Sequence, residues 1–153
     1  MATRTKSRPS TRYEEDFYAW CRVQADLLRS GRVSELDLEH LTDEVEDLGD
    51  ALKRSVRNRI RTIIEHLLKL ECSPARDPRP GWRATVRTQR VRLRDALTPS
   101  LRREIEDELA ELYADARALA EGALRDHAED AAADALPGSC PYTLDQITGA
   151  WLP

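Results

Sequence analysis

Cysteine is scarce: Cys21, Cys72 and Cys140 lie far apart, with no CxxC pair and no zinc-ligand spacing. That pattern excludes a disulfide scaffold and predicts reduced thiols in a cytosolic protein. Lysine occurs only at Lys6, Lys53 and Lys69, so nearly all the positive charge is guanidinium. A net charge of −4 argues against a generally basic nucleic-acid coat. No apolar run approaches the roughly 18 residues of a membrane span, and the opening MATRTKSRPSTR lacks the apolar stretch of an export signal. Glycine-rich phosphate loops, GxSxG elbows and HExxH are absent too, which leaves the commonest nucleotide and hydrolase chemistries without a motif. The sequence leaves any cofactor unidentified.

What the chain does have is helical periodicity. With 41% hydrophobic and 34% charged residues over 153 positions, it suits one compact domain of amphipathic helices. Phe17, Trp20, Cys21, Gln24, Leu27 and Leu28 mark a first helix that stops at Gly31. A second series runs Leu38, Leu41, Val45, Leu48, Leu52, Val56, Ile60, Ile63, Leu67 and Leu70, stepping by three or four. It predicts one helix over 37–70, capped by Asp37 and continuous through Gly49. The prolines of CSPARDPRPG then force a turn, because each lacks a backbone donor. Trp82, Val86, Leu93 and Leu97 mark a third helix, and Thr98-Pro99 opens a fourth that thins into HAEDAAADA. After Pro137-Gly138, Thr143 and Gln146 form a capping box for a short last helix. The expected fold is all-α, a bundle of four main helices plus a short C-terminal helix, with a long second helix. Residues 1–12 form a flexible tail, and 13–152 a single helical domain.

Several segments carry a family resemblance: DFYAW at 16–20, LDLEHLTDEVEDLG at 36–49, HLLKL at 66–70, GWRATVRTQR at 81–90 and CPYTLDQI at 140–147. Together they are similar to the bacterial domain of unknown function 29 family. The family usually has an aromatic after HLLK, where this chain has Leu70. The resemblance implies a helical bacterial protein without an assigned activity.

Some polar residues exceed what a bundle needs. At 100° per residue, Arg59 and His66 fall inside the apolar arc of the second helix, so they should face the core or a partner. Asp37 and Glu44 edge the same stripe, and His40 with Glu44 makes an i, i+4 pair. His40, Glu44 and His66 are the candidate metal ligands; Glu44, Arg59 and His66 are the candidate catalytic residues. Glu44 and His66 are 22 residues apart, about 33 Å on a straight helix, so one copy cannot unite them. Two antiparallel copies crossing near Ser55 could. Arg59 or Arg61 with His66 also resembles the R-x(4-6)-H signature of HEPN ribonucleases. There the histidine would move a proton and the arginine would stabilise phosphate charge. Only Arg59 shares a face with His66. The plainer alternative is a solvated charge pattern around a satisfied histidine.

Arg83, Arg87, Arg90 and Arg94 line one face of the third helix, preceded by Arg76 and Arg79, and suit phosphate or carboxylate oxygens. Acidic blocks at 35–50 and 104–111 could answer them internally. Cys140 and His127 read as a cap residue and a solvated side chain, and Trp20, Trp82 and Trp151 as core anchors and end clamps. The expectation is therefore an interaction or adaptor module that self-associates or binds another protein. Two alternatives stay open: a metal-dependent or HEPN-like ribonuclease, and a nucleic-acid binder acting through the 76–94 arginines. No membrane partner is expected.

Overall fold

The computed structural model describes residues 13–153; the basic segment 1–12, expected as a flexible tail, lies outside the described residues. Among the described residues every regular element is helical. The order is α1 (Phe17–Arg29), a 3₁₀ turn (Val33–Glu35), α2 (Leu38–Cys72), α3 (Arg79–Arg94), α4 (Pro99–Asp107), α5 (Leu109–Asp126), α6 (Asp130–Asp134) and α7 (Leu144–Thr148). The chain divides into two compact units, with the boundary between Asp50 and Ala51, inside α2.

In the first unit Asp16 caps α1, its Oδ1 accepting from the Ala19 N–H at 2.9 Å. Gly31 ends the helix at φ 68°, a left-handed conformation that glycine adopts without a Cβ penalty. The Gly31 and Arg32 N–H groups turn back to the Leu28 and Leu27 carbonyls, so the last carbonyls are satisfied as in a Schellman cap. Trp20, Gln24 and Leu27 are the buried residues of α1. α2 begins after Asp37 as expected and runs through Gly49 without interruption.

The second unit holds the core. From α2 come Val56, Ile60, Ile63, Ile64, Leu67 and Leu68; α3 adds Val86 and Leu93, α4 Ile105, α5 Leu112, Ala116 and Ala120, and α7 Ile147. Each fully buried aliphatic side chain contributes about 1.5–3 kcal/mol relative to exposure. α2 ends where Pro74 and Pro78 follow, and Arg79 fastens the stop by donating to the Leu70 and Ser73 carbonyls at 2.5 and 3.2 Å. α3 starts at Arg79, three residues before the expected Trp82, with Pro80 in its donor-free first turn.

The fourth predicted helix proves to be two. At Glu108 the backbone turns to φ −92° and ψ 1°, closing α4 and opening α5. Ile105, Leu109 and Leu112 keep their spacing across the break, which is why periodicity misses it. The alanine-rich tail also does not fray. It turns through Ala128 and forms α6, whose Ala132 and Ala133 are buried. At the end of the chain Thr143 and Gln146 make the expected capping box around α7.

Candidate functional site

In the first unit, the candidate acid/base and metal residues are tied to aromatic side chains. His40 Nδ1 meets Asp37 Oδ2 at 2.8 Å, rather than the Glu44 suggested by its spacing. Glu44 Oε1 instead accepts from the Tyr13 hydroxyl at 2.5 Å. The Tyr13 ring stacks on His40 with centroids 4.0 Å apart. Trp20 Nε1 donates to Asp37 Oδ2 at 3.2 Å, and the Asp37 N–H donates to Gln24 Oε1 at 2.9 Å. Burial would raise the Asp37 pKa, but hydrogen bonds from His40 and Trp20 outweigh it and hold the carboxyl below its ordinary value. The Glu44 hydrogen bond pushes the Tyr13 hydroxyl up to about 12. These contacts fasten the start of α2 to α1 and the chain before it. The sequence names Asp37, His40 and Glu44, but nothing in it marks Tyr13 and Trp20 as their partners.

In the second unit, Arg59 and His66 are both half-buried on α2, two helical turns apart. His66 Nδ1 donates to the Thr62 carbonyl at 2.9 Å, which leaves Nε2 as the free ring nitrogen. Burial and then the charge of Lys69 push its pKa below the ordinary histidine value, so the ring is neutral at pH 7. Arg59 Nη1 donates to Gln89 Oε1 of α3 at 3.2 Å, while its Nε is buried without a partner among the described residues. An open cleft of about 400 Å³ lies here, lined by Ala51, Arg54, Ser55, Asn58, Arg59, Thr62 and Gln89. Arg59 lines it and His66 does not. Arg61, the other arginine at a suitable spacing, is half-buried and outside this cleft. Among the described residues, no three His, Cys, Asp or Glu side chains gather as a metal site.

The arginine face of α3 separates into two kinds of residue. Arg83, Arg87 and Arg94 are exposed. Arg90 is half-buried and spent on the chain itself: its Nε donates to the Ile147 carbonyl at 2.9 Å, and its Nη2 to those of Gln146 and Trp151 at 2.8 and 2.7 Å. Of the two acidic blocks expected to answer this face, the 104–111 block pairs elsewhere. Glu108 and Glu104 bind Lys53 at 2.7 and 2.8 Å, and Arg57 takes Glu108 together with Glu111. Lys53, Arg57 and, for Glu106, Arg102 are thus the basic residues that the 104–111 block serves. Cys140 is half-buried, and its thiol lies 3.4 Å from the Tyr142 carbonyl; burial pushes its pKa up, away from thiolate reactivity. His127 is exposed, as expected. Of the tryptophans, Trp20 is buried, Trp82 sits beneath Lys69, and Trp151 packs obliquely on Tyr142 while staying exposed.

A family model described as domain of unknown function DUF29 matches residues 12–152. The chain belongs to that family. No curated protein and no solved structure matches it significantly. Within this DUF29 chain, the segments that carry the resemblance supply structural anchors. Asp16 and Trp20 of DFYAW cap α1 and bind Asp37, and Arg90 of GWRATVRTQR holds the last turn. Leu70, standing where the family usually has an aromatic, is 1% exposed, so the smaller side chain is fully covered here. Among the described residues, no helix is long and apolar enough to cross a membrane.

Proposed function

We propose that this DUF29 protein is an interaction module that docks a basic amphipathic helix of another protein on the first part of α2. The observation that carries this reading is the exposure of Leu38, Val45 and Leu48, at 59%, 68% and 73%. Their spacing puts them within about 80° on one side of the helix, and covering each would contribute up to about 1.5–3 kcal/mol. Charge then selects the occupant. Residues 35–50 hold eight acidic side chains and neither lysine nor arginine. A second copy would set this acidic stretch against its own like, whereas basic residues flanking an apolar stripe would complement it. The expected antiparallel pairing about Ser55 meets a further obstacle, because Val56, Ile60, Ile63 and Leu67 are already covered by the chain's own core.

The test is a photo-crosslinking amino acid at Leu48, with an exposed position on α4, Arg103, as control. Crosslinks mapped to a basic amphipathic helix of another protein are the expected result. A Val45→Asp/Leu48→Asp variant that keeps its fold should weaken that binding by roughly 100-fold. Crosslinks between two copies of this chain, or none above the control, would overturn the assignment.

A further inference from the structure

We infer that the cleft between α2 and α3 in the second unit binds the phosphate group of a small phosphate monoester, with Arg54 and Arg59 as its two cationic walls. This site is separate from the proposed docking face and does not rest on it.

The lining gives the ligand's sign. Ala51, Arg54, Ser55, Asn58, Arg59, Thr62 and Gln89 include two guanidinium groups, two hydroxyls and two amides, and no carboxylate. On the α2 wheel Arg54 and Arg59 stand about 140° apart, and Asn58, Ala51, Thr62 and Ser55 fall between them. The helix therefore offers a small, polar floor with one positive charge on each flank. A volume of about 400 Å³ lies in the range of small-molecule sites.

Arg59 adds an independent sign of a missing partner. Arg57, Arg79, Arg90, Arg102 and Arg117, also half-buried, each donate to a carboxylate or a backbone carbonyl, while Arg61, half-buried outside the cleft, has no such bond among the described residues. Among the described residues, Arg59 has only a 3.2 Å contact with a neutral amide, and its Nε is buried with no acceptor. Leaving a charged group so poorly paired is costly, and an oxyanion over the floor would compensate its charge. Arg54 is exposed, with no acidic partner among the described residues. Two unanswered guanidinium groups match a dianion, which favours a phosphate monoester over a single carboxylate.

Isothermal titration calorimetry on the full chain tests this. Inorganic phosphate, glycerol 3-phosphate, acetate and chloride are each titrated at pH 8 and constant ionic strength, above the second pKa of a phosphate monoester, about 6. The expected result is saturable binding of both phosphates, with acetate at least about tenfold weaker. Arg54→Gln and Arg59→Gln should each weaken phosphate by about tenfold or more, while an Arg83→Gln/Arg87→Gln pair should leave it unchanged. Should Arg59→Gln lose its fold by circular dichroism, Arg54→Gln, at an exposed position, carries the test alone. Phosphate heats equal to those of chloride, acetate as tight as phosphate, failure of the monoester, or sensitivity to the α3 pair instead would each overturn the assignment.

Discussion

The two parts of α2 carry the same three-four apolar rhythm and use it differently. From Val56 to Leu70, the stripe is closed over by α3, α4 and α5, and its aliphatic members are at most 1% exposed. From Leu38 to Leu48 the same rhythm meets mostly solvent, and the first unit relies on a few aromatic and hydrogen-bonded contacts. Periodicity therefore reports that a helix has an apolar face; it does not report what covers that face. One part of the helix works as core, and the other keeps its apolar row exposed.

The contrast is most easily broken in the core. Ile60→Ala, at a fully buried position, should cost about 2–5 kcal/mol in denaturant unfolding, while Leu48→Ala should stay within about 0.5 kcal/mol. Equal losses would mean that the exposed row is covered in solution. Asp37→Ala comes next, at about 1–3 kcal/mol, because it strips a cap and leaves the Trp20 indole N–H without its acceptor. Amide exchange should quicken in α1 and stay unchanged in α5; uniform quickening would show that the two units unfold as one.

The smallest effect is a pH dependence. The folded-state pKa of His66 is depressed below its ordinary 6.5, so the unfolded chain takes up the proton first. Its stabilising contribution is complete above about 6.5 and is lost as pH falls through that value towards the folded pKa. His66→Gln should flatten stability in this window. Asp37, also depressed, acts in the same sense but lower, losing its contribution as pH falls from 3.8 through its folded value. A wild-type profile that is flat between pH 7 and 5 would remove the burial argument for His66.

Local signals gave the helices away. Gly31, the prolines after Cys72, Thr98-Pro99 and the Thr143–Gln146 box each punctuate the chain through backbone chemistry carried in a few adjacent residues. The candidate site was less legible, because its partners lie far along the chain. Nothing near Arg90 foretells carbonyls 56 to 61 residues away, and nothing near His40 says that Asp37 would be preferred to Glu44. Arg59 and Gln89 meet across 30 residues, so the cleft they line has no motif. The break at Glu108 was hidden for a different reason, since its apolar neighbours keep helical phase on both sides.

Arg90 also sets the terms on which the end of the chain is ordered. A five-residue helix has no autonomous stability, because the dihedral angles fixed in its first turn are barely offset by hydrogen bonds. α7 persists because Leu144 and Ile147 are buried, and because one guanidinium gathers the carbonyls of Gln146, Ile147 and Trp151. Gly149 admits the tight exit, since a Cβ there would lie 2.6 Å from the Asp145 carbonyl oxygen. The final helix is thus conditional order, borrowed from α3, and any ligand or substitution that shifts Arg90 would be felt some sixty residues downstream.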